Sequence, residues 1–134
     1  MSYRIGVIGT GYVGLVTGVC LADVGNDVIC IDVDPAKVDK LNKGEPTIYE
    51  RGLDQFLERN LRENRIKFTL DVEEAVKTSK ILFYCLPTPP GKDGAADLDA
   101  VMNMSKRIAN MLNEFDITEP RIIVNKSTVP VGTS

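Results

Sequence analysis

Three observations predict an α/β fold, a Rossmann-type doubly wound and mostly parallel sheet in a single domain. Short apolar runs alternate with segments of helical spacing from end to end. The first run, Tyr3-Arg-Ile-Gly-Val-Ile8, leads directly into Gly9-Thr-Gly11-Tyr-Val-Gly14. The next, Asp27-Val-Ile-Cys-Ile31, is closed by Asp32, eighteen residues after the last of those glycines. Strand, glycine turn, helix, strand and acid, in that order, is the fingerprint of a dinucleotide-binding βαβ unit.

The elements follow in order. The first helix is predicted over about Tyr12 to Val24, with Val13, Val16, Cys20 and Val24 at helical spacing and Gly25-Asn26 stopping it. Asp34-Pro35 reads as the N-cap and first residue of a short helix ending near Lys43-Gly44. Glu45-Pro-Thr-Ile-Tyr49 is a turn or loop. A further helix over about Leu53 to Asn64 carries Leu53, Phe56, Leu57 and Leu61 on one face. Ile66-Lys-Phe-Thr69 reads as a short strand and Asp71 to Val76 as a short helix. Lys80-Ile-Leu-Phe-Tyr-Cys-Leu86 is nearly all apolar, as a parallel strand buried on both faces requires. Pro87-Thr-Pro-Pro-Gly-Lys-Asp-Gly94 is a loop, Asp97 or Asp99 caps a helix over Ala100 to Leu112, and Arg121-Ile-Ile-Val-Asn125 is the last strand.

A chain of 134 residues, 43% hydrophobic and 26% charged, is read as one globular domain, residues 1–134. A net charge of −3 without a long basic run gives no support for nucleic-acid binding. The apolar stretches are too short to span a bilayer, and the opening Met-Ser-Tyr-Arg has no signal-peptide character, so no membrane partner and a cytoplasmic location are expected. Histidine is absent, which excludes His-based acid–base chemistry and His-ligated metal; with no CxxC pair either, no metal site is expected. Cys20, Cys30 and Cys85 stand in apolar surroundings and read as buried structural thiols.

In such a sheet ligands sit outside the carboxyl ends of the strands. Gly9 permits the tight turn off the first strand, Gly11 lets backbone approach a pyrophosphate, and Gly14 lets the helix pack closely on the sheet. The phosphates then face free N–H groups and the positive end of the helix dipole. Asp32 can accept from both hydroxyls of an adenosine ribose and would repel a 2′-phosphate, which favours NAD over NADP. Lys37, in the first turn after Pro35, is in reach of the ribose or phosphate edge. Thr88 and the pair Ser127-Thr128 follow strand ends on the same rim.

The stretch Arg4-Ile-Gly-Val-Ile-Gly-Thr-Gly-Tyr-Val-Gly-Leu-Val-Thr-Gly18 resembles the opening of the UDP-glucose/GDP-mannose dehydrogenase family. So do Asp32-Val-Asp-Pro-Ala-Lys-Val38, Leu41-Asn-Lys-Gly44, Ile48-Tyr-Glu50 with Gly52-Leu53, Thr88-Pro-Pro-Gly-Lys-Asp-Gly-Ala-Ala-Asp-Leu98 and Lys126-Ser-Thr-Val-Pro-Val-Gly-Thr133. The Thr88 to Leu98 loop is most similar to that of the UDP-glucose 6-dehydrogenases. The resemblance implies a dimeric NAD-dependent oxidoreductase that passes two hydrides in turn from the C6 alcohol of UDP-glucose to two NAD⁺, giving UDP-glucuronate for polysaccharide biosynthesis. It implies that the glycines, Tyr12 and Val13 meet the pyrophosphate and that Asp32 and Lys37 meet the ribose. Thr88, Ser127 and Thr128 would approach the cofactor, Thr128 also ordering a water near the reacting carbon.

Two departures stand out. Pro87 replaces the usual small residue before Thr88, removing an N–H from the loop. Arg51 replaces the proline of the usual Glu-Pro-Gly-Leu turn. The family's nucleophilic cysteine, in a Gly-Gly-Ser-Cys-type segment, does not occur in the sequence. The stretch is therefore expected to be the cofactor-binding domain of a longer enzyme, without its central helix and substrate domain, binding NAD but not turning over; the alternatives are a non-catalytic NAD-sensing module and the NAD-binding half of another sugar-nucleotide or hydroxyacid dehydrogenase. An open edge at the last strand is expected to promote self-association near Ile122, Val124 and Val129.

Overall fold

The computed structural model describes residues 2–92, 94 and 97–127. Five strands and five helices alternate as β1 (Arg4–Ile8), α1 (Tyr12–Asp23), β2 (Asp27–Ile31), α2 (Pro35–Asn42), α3 (Leu53–Arg62), β3 (Ile66–Thr69), α4 (Val72–Thr78), β4 (Ile81–Tyr84), α5 (Asp99–Glu114) and β5 (Ile122–Asn125). The strands form one parallel sheet in the order β3-β2-β1-β4-β5. The chain winds outward from β1 to β3 and then crosses back to β4 on the other side of β1. That reversal opens a crevice beyond the carboxyl ends of β1 and β4, where this architecture places ligands.

Period-two alternation along β1 divides the core. Ile5 and Val7 join Leu15, Val19, Val28, Cys30, Leu57 and Phe68 under α1, α2 and α3. Ile8 joins Ile29, Ile31, Val76, Leu82, Tyr84 and Ile108 under α4 and α5. Local chemistry sets the helix starts. Asp34 accepts from the Ala36 N–H at 3.0 Å, with Pro35 at the first helical position, and Asp71 accepts from Glu73 at 3.0 Å. Gly25 and Gly44 end α1 and α2 with φ of 105° and 84°.

Four expectations need correction. α1 does not bury the stripe Val13, Val16, Cys20 and Val24; it buries Gly14, Leu15, Gly18, Val19 and Ala22. The sheet selects the face with small residues, since a Cβ on Gly18 would stand 2.8 Å from the Cys30 sulfur. Cys20 is consequently exposed, Cys85 is half-buried just after β4, and Cys30 alone is fully buried. In α3, Asn60 takes the inward position and Phe56 stays outside under the Arg59 guanidinium. Asn60 is affordable there because it donates to Asp23 and the Phe56 carbonyl and accepts from Arg65. Finally, α5 begins at Asp99 behind Leu98 at the N-cap, with Asp97 accepting from the Asp99 N–H at 2.9 Å.

Among the described residues β5 is an edge strand, and Ile122 and Ile123 are 51% and 45% exposed. Val124 is only half-buried, while Val129 lies outside the described residues. Unpaired N–H and C=O groups beside exposed β-branched side chains favour pairing with another copy. Sedimentation at rising concentration should show reversible self-association, weakened by Ile123→Lys or Ile122→Lys in a folded chain. A strictly monomeric wild-type chain would mean that this edge is covered.

Candidate functional site

A cleft of about 580 Å³ opens at the crevice between β1 and β4. It collects residues from the β1–α1 turn, the ends of β2 and β4, and α5, and it includes Gly9, Gly11, Tyr12, Val13, Asp32, Lys37, Thr88 and Ser127. Eight of the ten residues expected at the site thus meet in one place. Gly14 sits behind the cleft wall, and Thr128 lies outside the described residues.

The three glycines do different work. Gly9 has φ of 101°, and a Cβ there would come within 2.4 Å of the Cys85 carbonyl oxygen. A Cβ on Gly14 would fall 1.8 Å from the Gly9 carbonyl oxygen. Both are required by the fold. Gly11 is different: its φ of −71° suits any residue, and a Cβ there meets nothing within 4 Å. Nothing among the described residues needs a glycine at this position, which points outward, to a ligand approaching the backbone.

The helix start agrees. The first intrahelical bond of α1 runs from the Leu15 N–H to the Gly11 carbonyl, leaving the N–H groups of Tyr12, Val13 and Gly14 without intrahelical acceptors. No side chain caps α1 and no acid occupies its first turn, whereas α2 and α4 each have an aspartate cap. An uncapped helix N-terminus facing a cleft is suited to a phosphate.

Asp32 stands at the end of β2 with its carboxylate already engaged. Its Oδ2 accepts from the Thr10 N–H at 3.1 Å, from the Thr10 hydroxyl, and from the Lys37 ammonium at 3.4 Å. Its Oδ1 accepts from the Asp34 N–H at 3.1 Å. Burial pushes the carboxyl up, but the Thr10 hydroxyl, the Asp34 and Thr10 N–H groups and Lys37 outweigh it, so Asp32 titrates below its ordinary value. It is an anion at neutral pH.

Tyr12 projects from the first turn of α1 and donates to the Glu50 carboxylate, which pushes the phenol up. That bond ties the glycine turn to the loop before α3. There Gly52, with φ of 82° and ψ of −7°, follows Arg51 in a turn closed by the Leu53 N–H on the Glu50 carbonyl at 3.1 Å. Ser127 lines the cleft, but its hydroxyl accepts from the Leu86 N–H at 3.0 Å and donates to the Tyr84 carbonyl at 3.3 Å, stitching the ends of β4 and β5. Its role in this arrangement is to hold the rim.

Several lining residues carried no sequence signal. Val33 and Leu70 are exposed just after β2 and β3, and with Val72 at the start of α4 they make an apolar end beyond Asp32 of a kind that suits a planar base. Arg107 and Lys126 add cations. Arg107 was hidden because only the packing of α5 brings it to the β4 side of the crevice. Cys85 also lines the cleft; burial pushes its thiol up, and Lys126 only partly counters this.

Residues 3–134 match the UDP-glucose/GDP-mannose dehydrogenase family, NAD binding domain. Over 130 residues the chain is 46% identical to UDP-glucose 6-dehydrogenase TuaD of Bacillus subtilis, covering 97% of this chain and 27% of that protein. A UDP-glucose dehydrogenase structure from the archaeon Pyrobaculum islandicum superposes with a TM-score of 0.93 at 37% identity, over 100% of this chain and 31% of that one. A ternary complex of GDP-mannose dehydrogenase from Pseudomonas aeruginosa superposes at 0.91 with 36% identity, over 97% and 29% of the two chains. The chain thus spans less than a third of the length of these relatives. It belongs to the UDP-glucose/GDP-mannose dehydrogenase family and corresponds to its NAD-binding domain.

The two kinds of glycine make a test. Gly14→Ala should destabilise the fold by about 1–3 kcal/mol, as forced overpacking does. Gly11→Ala should leave the unfolding midpoint nearly unchanged yet weaken dinucleotide binding at least about tenfold, a loss of ~1.4 kcal/mol. Thermal unfolding and calorimetry on both variants check it; Gly11→Ala with undiminished binding would break the ligand argument.

Proposed function

We propose that this domain holds NAD⁺ for the oxidation of the C6 alcohol of UDP-glucose to UDP-glucuronate, within an enzyme that works as a dimer. The observation that carries the cofactor part is Gly11, a glycine the fold does not require, set before the open N-terminus of α1. The N–H groups of Tyr12 and Val13 would meet the pyrophosphate, Asp32 and Lys37 the adenosine ribose, and the apolar end at Val33 and Leu70 the adenine. Thr88 would stand on the inner side, near the nicotinamide, and Thr128, by family resemblance, would help order a water. NAD⁺ would supply the hydride acceptor, and the residues of this chain would bind and orient it.

The choice of sugar nucleotide rests on similarity. UDP-glucose 6-dehydrogenases of Bacillus subtilis and Rhizobium meliloti are 46% and 45% identical to this chain, against 36% for the GDP-mannose 6-dehydrogenase of Pseudomonas putida. No helix among the described residues is long and apolar enough to cross a membrane. We propose a cytoplasmic setting, where UDP-glucose and NAD⁺ meet.

Chemistry on the sugar needs a thiolate and an acid–base partner. Burial drives the Cys30 thiol far above its ordinary value and raises that of Cys85, and Cys20 is exposed on α1 outside the cleft. None is a nucleophile poised over a substrate.

Selectivity tests the cofactor reading. Calorimetry should give tighter binding of NAD⁺ than NADP⁺ by at least about tenfold, and Asp32→Ala should weaken NAD⁺ and narrow the gap. Equal affinities would remove the ribose role of Asp32. In a separate assay, the 134-residue chain with UDP-glucose and NAD⁺ should form no NADH above blank. Turnover abolished by Cys85→Ser alone would expose a nucleophile in this cleft; turnover surviving replacement of all three cysteines would refute the assignment of the chemistry.

A further inference from the structure

Thr10, between the first two glycines of the turn, is 1% exposed although it carries a hydroxyl and lies beside an open cleft. Its N–H and its hydroxyl both donate to the same oxygen, Oδ2 of Asp32, at 3.1 and 2.5 Å. Lys37 closes on that oxygen as well, at 3.4 Å. Oδ1 receives only the Asp34 N–H, at 3.1 Å. A carboxylate offers about four lone-pair positions, so Oδ2 is saturated and the acceptor capacity that remains is on Oδ1.

The hydroxyl has no packing reason to be there. A valine has the same shape without the donor, and Thr10 lines the cleft together with the apolar residues Ile8 and Ile31. What the hydroxyl adds is a charge-assisted bond that fixes the rotation of the Asp32 carboxylate before any ligand arrives. A fixed anion accepts a hydroxyl without an ordering cost, and it cannot turn away from a phosphate placed on that hydroxyl.

We propose that Thr10 is a positioning residue for nucleotide selectivity: by engaging Oδ2 it holds Asp32 so that Oδ1 keeps one acceptor position for a ribose hydroxyl of the dinucleotide. The proposal rests on the reading of Asp32 as the ribose acceptor, and it refines it. The carboxylate takes one hydroxyl through Oδ1, not both hydroxyls through its two oxygens. Lys37, already on Oδ2, is the group left to serve the second.

The test is calorimetric binding of NAD⁺ and NADP⁺ to the wild-type chain, Thr10→Val and Thr10→Ser, each also in an Asp32→Ala background, with thermal unfolding in parallel. Thr10→Val should weaken NAD⁺ about tenfold and narrow the NAD⁺ to NADP⁺ ratio by a similar factor, as loss of a bond to a charged group does. Thr10→Ser, which restores the donor, should keep both within about twofold of wild type. With Asp32→Ala already present, Thr10→Val should change neither affinity further. A Thr10→Val chain with a lowered unfolding midpoint and the wild-type ratio overturns the proposal, because the role is then structural. So does a Thr10→Ser chain that loses the ratio, which also decides the matter if Thr10→Val does not fold. Equal affinities of the wild-type chain for the two dinucleotides would overturn the Asp32 reading and this proposal with it. Wild-type selectivity retained in Thr10→Val overturns this proposal alone.

Discussion

The approach of α1 to the Gly9 carbonyl is the constraint on which the rest of the site depends. With Gly14 against that oxygen and Gly9 against the Cys85 carbonyl, no side chain separates the start of α1 from the ends of β1 and β4. The Gly9 N–H is held at 2.8 Å by the Ile31 carbonyl, so the same turn is also fixed to β2. One short loop thereby joins three strands. Its position aims the unpaired N–H groups of α1 into the crevice and brings Thr10 against Asp32. Widening that contact by one methyl group would move the helix dipole and the Thr10–Asp32 contact together.

The site divides its electrostatic labour between neighbouring helix starts. α2 satisfies its own N-terminus through Asp34, and α4 does so through Asp71, so neither has donors to spare. α1 keeps its donors open because Gly11 has no side chain to fold back on them. In the cleft an anion is therefore favoured between the dipole of α1 and the cations Lys37, Arg107 and Lys126. Asp32 is the exception inside this positive setting. Its charge survives burial because four donors converge on it.

Much of this was legible in the sequence, and the reasons differ by element. The strands, the glycine turn and Asp34-Pro35 are set by local chemistry: apolar alternation, backbone sterics and capping all act within a few residues. The buried face of α1 was misread because hydrophobicity favours the valine stripe while the sheet demands small residues at Gly14 and Gly18. Apolar spacing likewise put Phe56 inside α3, yet the turn into β3 needed the amide of Asn60 to satisfy Arg65 and Asp23. Thr10, between two glycines, carries no signal of its own in the sequence. Its partner is 22 residues away, and only the β1–β2 pairing brings them together. Arg107 was equally silent, since a charged residue on an amphipathic helix reads as a solvated face until the packing of that helix is known.

The departure at Pro87 acquires a physical meaning from its neighbours. The N–H of Cys85 completes the pairing with β1 on the Ile8 carbonyl at 2.9 Å, and the N–H of Leu86 goes to Ser127 at 3.0 Å. The next N–H along the chain would be the first one free to face the cleft, and proline removes it. Pro87 nonetheless lines the cleft beside Thr88, so it contributes an apolar wall where a donor would otherwise stand. The sheet loses nothing by this, because its last donors are already spent on β1 and the rim. Thr88, Arg107 and Lys126 are the polar side chains lining the rest of the cleft, while the polar contacts already in place gather around Asp32. The cleft thus sets a network of hydrogen bonds around Asp32 at the end of β2 and an apolar wall, Pro87, beyond the end of β4.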